Sequence, residues 1–360
     1  MKRRTLLQAG LAGAAGSLPF SPAVHAQSGD NPTVIRIGVP SAGTGGRPLT
    51  SGLAGTLHQK ATFEDEFRKD GIQVRWTFFP SAGPGLNEAH ANGLVDFAAG
   101  HGDLPVIVGR STGLRHRIIS SIGRFSDVYF VVPTDSPAKT LADLKGKRLA
   151  TFKGTASQLY LARFLAREGF TEKDFRVVSA DTDTQKASLA TKDIDGCTFT
   201  PRPFDLEARG IARTLFGARD PGISTPSTAW VAEDFEKKYP HIVQRFVTAL
   251  TRQAAWAADE KNREEQFQLW AKSGNYAYSD YKRSWEGDKL RDRLSPLIDD
   301  YYVAALQKAI NEAREYKLIR REVSLDGWIE PKYQRQALKE LGLENFWTDY
   351  DAAGKPKAAA

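Results

Sequence analysis

Apolar positions along the chain fall into short unbroken runs, each followed by small residues and then by a helical spacing. "TVIRIGVP" leads through "SAGTGGRP" into "LTSGLAGTLHQKATFEDEFRKDG". "IQVRWTFFP" leads through "SAGPG" into "LNEAHANG", and "VDFAAG" through "HGDLP" into "VIVGRSTG". Further on, "KRLATF" leads through "KGTAS" into "QLYLARFLAREG", and "IDGCTFT" through "PRP" into "FDLEARG". Strands alternating with helices in this way predict parallel βαβ units. The loops after the strand carboxyl ends then gather along one sheet edge, where ligands bind.

Two interruptions of the pattern predict a second lobe. Arg117–Ile122 and Asp127–Val132 read as strands with almost nothing between them, and the turn at Pro133–Pro137 leads to a short helix over Thr140–Leu144. A second break falls in "GIARTLFGARDPGISTPSTAWVA". The intervening segment of about 85 residues has the size of a lobe. The chain is expected to leave a first lobe, build a second and return, with two crossovers as a hinge and a cleft between the lobes. After Glu233 the pattern is helical. Ile242, Phe246, Leu250 and Ala254 share a face, and "LIDDYYVAALQKAINEAREYKLI" repeats the spacing. These helices are expected to cover the first lobe, with Trp256 and Trp270 in that packing. The expected boundaries are residues 1–26 for an export signal, 27–125 with 215–350 for lobe one, 126–214 for lobe two and 351–360 for a frayed tail.

Composition narrows the function class. The charge of +7 is interleaved with acids, as in "EDEFRKDG", so the basic residues read as solvated helix faces rather than a nucleic-acid surface. Removing Lys2, Arg3 and Arg4 leaves +4. Those three residues, the weakly apolar "TLLQAGLAGAAGSLPF" and the small-residue site at "AVHA" read as an export signal cleaved near Ala26. Arg3-Arg4 followed by Thr5, Leu6 and Leu7 resembles the twin-arginine type; the alternatives are an ordinary secretory signal and a membrane anchor, for which the stretch is too short and too broken by Gly, Ser and Pro. No other long apolar run exists, so a soluble exported product is expected. The single cysteine, Cys197, excludes an intrachain disulfide and reads as a buried inert thiol.

Catalytic signatures are missing: no G-x-S-x-G, H-E-x-x-H or G-x-x-x-x-G-K-[ST] occurs, and the histidines lack metal-ligand spacing. No catalytic residue, metal or cofactor is expected. His101 and Asp103 could form a base with an orienting acid, a reading weighed against an ordinary loop role. Anion binding is the stronger signal. Gly154, Thr155, Ala156 and Ser157 open a helix directly after a strand, where free N–H groups and the macrodipole attract negative charge. The bland alternative is that Thr155 and Ser157 merely cap their helix. "SAGPG" offers a second such start. Arg47 and Arg202, each beside a proline just past a strand, could supply guanidinium forks for a carboxylate, sulfonate or phosphate.

"IRIGVP", "FFPSAGPGLNEAHANGLVDFAAGHGDLP", "VVPTDSPAKTLADLKGKRLATFKGTASQLYLARFLAREGFTEKDF" and "YPHIVQRFVTALTRQAAWA" resemble the periplasmic substrate-binding proteins of ABC importers, in the aliphatic sulfonate, taurine and nitrate group of the NMT1/THI5-like superfamily. The resemblance implies a two-lobed α/β periplasmic-binding-protein fold of type II with a two-strand hinge. It places ligand contacts at Ser81, Ala82 and Gly83, at His101, Gly102 and Asp103, and at Thr155, Ala156 and Ser157, with Ser227 and Trp230 closing the pocket. Two stretches depart from the family pattern: "FTPRPF" where an aromatic-Asp-Pro-aromatic run is common, and "SAGTGGRPLTSG" in the first loop. Both add an arginine, Arg202 and Arg47, and the first loop contains Ser41 where a desulfinase of the same fold uses a cysteine. The implied function is capture of a small anion, such as a sulfonate or taurine, by a monomer that delivers it to an ABC permease. A desulfinase-like enzyme and a ligand sensor for a membrane receptor are the alternatives; a thiamine-pyrimidine synthase would need a cysteine-rich motif that is absent.

Overall fold

The computed structural model describes residues 31–41, 51–218, 222–273 and 276–357. The first three strands are β1 (Val34–Pro40), β2 (Gln73–Phe79) and β3 (Phe97–His101), followed by β4 (His116–Gly123). Helices α1 (Gly52–Gln59), α2 (Thr62–Phe67), α3 (Ala82–Ala91) and α4 (Asp103–Ser111) connect them. Next come β5 (Val128–Pro133), β6 (Arg148–Thr151), α5 (Ala156–Arg167), β7 (Arg176–Ser179), α6 (Thr182–Thr191), β8 (Gly196–Phe199), α7 (Phe204–Ala208) and β9 (Ala212–Ala218). The chain returns through β10 (Ser227–Ala232) and continues as α8 (Glu233–Lys238), α9 (Pro240–Ala258), α10 (Arg263–Ser273), α11 (Tyr278–Ser284), α12 (Leu290–Arg293), α13 (Asp300–Glu315) and α14 (Lys332–Leu341).

Two five-stranded sheets result, ordered β2-β1-β3-β10-β4 and β7-β6-β8-β5-β9. In the first, β1 is parallel to β2 and β3, while β10 enters antiparallel between β3 and β4. In the second, β6 is parallel to β7 and β8, while β5 enters antiparallel between β8 and β9. The alternating pattern therefore anticipates the parallel cores, and each sheet adds an antiparallel strand from a crossover. The chain passes between the sheets after β4 and again after β9. The second sheet runs to Ala218, so the break expected at residue 214 falls inside β9.

Apolar faces account for the layering. Ile242, Val243, Phe246, Val247 and Leu250 of α9 pack on Ile35, Ile37 and Val39 of β1 and on Leu53 and Leu57 of α1. Phe246 stacks between Phe63 and Phe97, with ring centroids 3.9 and 4.0 Å away. The opposite face of that sheet carries Ala98 and Trp230 against α3, α4 and α13. In the second sheet, Leu161, Phe164 and Leu165 of α5 pack on Val128, Phe130 and Leu149.

Several local expectations are corrected. The stretch read as one helix after the first loop breaks at Ala61, whose φ of 48° ends α1 and starts α2. Thr140–Leu144 shortens to a 3-10 turn over Ala142–Leu144, because the Asp143 carboxylate accepts from the Lys139 and Thr140 N–H groups. The tail expected to fray from residue 351 is ordered through Lys357. Asp351 accepts from the N–H groups of Ala353 and Lys355, and the Lys357 ammonium pairs with Asp300 and Asp349. The signal expected over residues 1–26 lies outside the described residues. No described helix is long and apolar enough to cross a membrane.

Candidate functional site

A cavity of about 390 Å³ opens where the first sheet, both crossovers and the second sheet meet. Its floor is the carboxyl edge of the first sheet at Val39, Pro40, Ala99 and Gly100. Ile122, Gly123, Arg124 and Ser126 come from the first crossover, Ser227 from the second, and Thr200 and Pro201 from the second sheet. The first turn of α1 and the side chains Trp270, Tyr281, Ser284, Trp285, Arg293 and Leu294 complete it.

The start of α1 is built to face a negative group. Ser51 is an extended N-cap with no side-chain capping bond. The first intrahelical bond is made by the Gly55 N–H to the Ser51 carbonyl, at 3.3 Å. The N–H groups of Gly52, Leu53 and Ala54 precede it, and all three residues line the cavity. Thr56 anchors this turn: its hydroxyl donates to the Gly52 carbonyl and accepts from the buried Gln266 amide and Trp270 indole.

Across from α1 stands α11. Tyr281, Ser284 and Trp285 lie at i, i+3 and i+4, which places them on one helix face. The Ser284 hydroxyl is buried without a hydrogen-bond partner among the described residues, and the Tyr281 hydroxyl is buried against the Ser51 hydroxyl. Burial pushes the Tyr281 phenol up to about 12, with the Ser51 hydroxyl facing it. It is therefore a neutral donor near pH 7.

The cavity's two arginines are already neutralised. The Arg124 guanidinium, fully buried, donates to Asp299 at 2.7 Å and to the Leu297 carbonyl at 2.6 Å. Arg293 donates to Asp288 at 2.7 Å and lies 3.8 Å above the Trp285 ring. No carboxylate lines the cavity among the described residues. The segment 42–50 that leads into α1 contains one charged residue, Arg47. An anionic head group would thus meet hydroxyls and backbone N–H groups, with no acid to repel it and no free cation described.

Of the residues singled out from sequence, Ser227 lines this cavity and Arg47 lies outside the described residues. Ser41, next to Pro40, is buried, and its N–H donates to the Phe79 carbonyl. Ser81, Ala82 and Gly83, then Gly102, then Gly154 and Ala156 meet at a second place, where the N-termini of α3, α4 and α5 converge. Ala82 holds a φ of 55° there. A Cβ added at Gly83 would stand 2.3 Å from Pro105, at Gly102 3.0 Å from Ala156, and at Gly154 3.1 Å from Pro84. Prolines and alanines fill this contact.

The donors at the start of α5 are largely used internally. The Gly154 N–H donates to the Gln158 side chain at 2.8 Å, and the Thr155 N–H to the Phe152 carbonyl. The Thr155 hydroxyl donates to Phe152 and accepts from the Ser157 N–H. Arg202 donates from Nε to both Glu207 oxygens, at 3.0 and 2.9 Å, and is not in the cavity lining. Here the expected ligand donors act as a helix cap and a local ion pair.

His101, Asp103 and Trp230 also turn inward. Ala229 and Val231 face α9, so by strand alternation Trp230 faces the other side of the sheet from the cavity. Gly100, with φ of 88°, breaks the alternation of β3 and sends His101 to the same side. The Trp230 indole donates to His101 Nδ1 at 2.9 Å, so the imidazole proton sits on Nε2, beside Gly83. Burial pushes His101 down to about 3. Asp103 accepts from Arg163 at 3.1 Å and from the Thr225 hydroxyl, so it does not orient His101. Tyr281, Ser284 and Trp285 were not singled out from sequence; the signal available was two hydroxyls on the face of an otherwise aromatic turn.

Two facing α/β sheets joined by two crossovers, with a cavity at the junction, define the two-lobed fold of periplasmic solute-binding proteins. Residues 65–263 match the NMT1/THI5-like family model, and the chain belongs to this family. A periplasmic sulfonate-binding protein SsuA of a sulfonate ABC transporter, from Methylobacillus flagellatus KT, is 32% identical with a TM-score of 0.74; the match covers 91% of this chain and 98% of that one. A Bacillus subtilis (strain 168) protein named as aliphatic sulfonates-binding is 24% identical over 78% of this chain and 83% of its own. The desulfurization enzyme DSZB shares the fold, at 18% identity and TM-score 0.64 over 86% of this chain and 99% of its own.

Proposed function

We propose that the protein is the solute-binding component of an ABC importer. It captures a small organic anion with a sulfonate-like head in the periplasm and delivers it to the membrane permease. The observation that carries this reading is the cavity at the junction of the two sheets, where an uncapped helix start faces buried neutral hydroxyls and no carboxylate is described. A nitrate ion would leave most of about 390 Å³ unfilled, so an organic tail suits the volume better. Because the lining draws on both crossovers and both sheets, ligand binds more tightly to the closed arrangement and favours it by that difference. The sulfonate-binding relatives support the ligand class. Ser227 is proposed as a contact from the return crossover, and Arg47 as one from the first loop. The contacts at Ser81–Gly83 and at the start of α5 would require the α3–α4–α5 junction to part, and one at Arg202 would require its pair with Glu207 to open.

Export is proposed to use the Arg3-Arg4 signal, giving a monomer that begins after Ala26. An enzyme is disfavoured by the position of the thiol. Cys197 lies in β8, fully buried, and burial pushes its pKa up, so no thiolate nucleophile forms there.

A thermal-shift series of sulfonates, nitrate and carboxylates tests the proposal. A true ligand at about a hundred times its Kd stabilises the protein by about 2.7 kcal/mol. Ser284→Val should abolish the shift produced by the best sulfonate. A series in which no sulfonate stabilises the protein, or in which the hit is turned over, overturns the reading.

A further inference from the structure

We infer that α11 is a specificity wall, and that Tyr281, Ser284 and Trp285 select a sulfonate whose tail is an uncharged aromatic ring. The inference rests on the sulfonate reading of the same cavity and specifies its tail.

Three observations carry it. The first is the shared face: the buried Tyr281 and Ser284 hydroxyls and the Trp285 indole lie at i, i+3 and i+4 and all line the cavity, with the Ser284 hydroxyl unpartnered among the described residues, so a single ligand can meet a donor and a ring together. The Tyr281 hydroxyl meets the Ser51 hydroxyl at the start of α1, so α11 and the open N–H groups of α1 border the same end of the cavity, where the head group is proposed to sit. The second is the packing of the wall. Trp270 meets Tyr281 with centroids 5.5 Å apart at 60°, and Trp285 at 5.2 Å and 47°. These are edge-to-face and tilted arrangements, and a further ring can join such a cluster in the same geometry. The Arg293 guanidinium over Trp285 fixes that indole in place. Leu53, Ala54, Ile122 and Leu294 supply the apolar remainder of the lining.

The third observation is charge. A tail bearing an ammonium would need a carboxylate or an open ring face. No carboxylate lines the cavity among the described residues. Arg293 already lies over the Trp285 ring. Bringing a further cation there costs desolvation without a partner.

Calorimetric titration with benzenesulfonate, ethanesulfonate and taurine tests the wall. One aromatic pair accounts for about a tenfold preference, so benzenesulfonate should bind about tenfold more tightly than ethanesulfonate, and taurine the most weakly of the three. Trp285→Leu should bring the benzenesulfonate and ethanesulfonate affinities close together while ethanesulfonate still binds. Equal binding of benzenesulfonate and ethanesulfonate by the unaltered protein, or taurine binding as tightly as ethanesulfonate, overturns the inference and leaves the sulfonate reading standing. Failure of all three to bind overturns both. A Trp285→Leu variant that keeps the full preference removes Trp285 from the wall.

Discussion

His101 shows how burial decides the role of a single side chain. In sequence it sits two residues from Asp103 and invites an acid–base reading. In the fold it accepts from Trp230, while Asp103 belongs to Arg163. His116, also fully buried, lies with its ring 5.0 Å from Trp230 and 5.7 Å from Trp328, and burial holds its pKa well below the usual imidazole value. Both imidazoles are neutral in the folded protein and titrate normally when it unfolds. Their folded pKa values are depressed, so the unfolded chain takes up protons first as pH falls. Stability is full above about pH 6.5 and declines below it, by about 1.4 kcal/mol per pH unit for each imidazole still neutral in the fold. For His101 the decline continues toward about pH 3. Urea midpoints measured between pH 7 and pH 4 should fall steadily, and His116→Phe should make the fall shallower. A midpoint flat across that range would show that these rings are solvated.

Helix α5 shows what an element's own pattern can and cannot reveal. Its amphipathic spacing and its Thr155 cap are readable in the sequence because both are local. Its partners are not, because they lie far along the chain. Arg163 donates to Asp103, 60 residues away, and to Glu312, 149 residues away, as well as to the Ile223 carbonyl on the return crossover. Burial opposes its charge, yet Asp103 and Glu312 raise its pKa above the ordinary guanidinium value. The same locality explains the site. Ser227, which lines the cavity, was named through the family resemblance and not through its local pattern. The α11 wall depends on a helix hairpin whose packing no short window reports, and the inward turn of His101 depends on one positive φ at Gly100. The pair itself can be tested. Arg163→Met leaves Asp103 buried without its cation and should cost about 3–5 kcal/mol. Adding Asp103→Asn should recover part of that loss, whereas simple additivity of the two changes in denaturant titrations would mean that they do not communicate.

At the scale of the whole molecule, the alternation of strands and helices predicts two parallel sheet cores, and the missing helix between two strands predicts a crossover. The last turns of the chain were the blind spot, because a small, polar composition says nothing about what such a segment rests on. Here it folds back on α13 through Lys357 and Gly354, and Tyr350 just before it rests on the first crossover. Phe125, with φ of 55°, stacks on Tyr301 at 5.0 Å and meets the edge of Tyr350 at 5.4 Å. Asp299 holds the neighbouring Arg124 and accepts the Tyr350 N–H at 3.2 Å. The segment around Tyr350 therefore braces the crossover from outside, while the cavity lies against Gly123, Arg124 and Ser126. A chain ending at Phe346 should keep both sheets and lose this brace. Hydrogen exchange at residues 123–127 should accelerate in the truncated protein, with the strands β1 and β6 protected as before, and overall stability should fall by about 3 kcal/mol as buried aromatic contacts are lost. Unchanged protection at the crossover would mean that Arg124 and Asp299 hold it without help from the chain end.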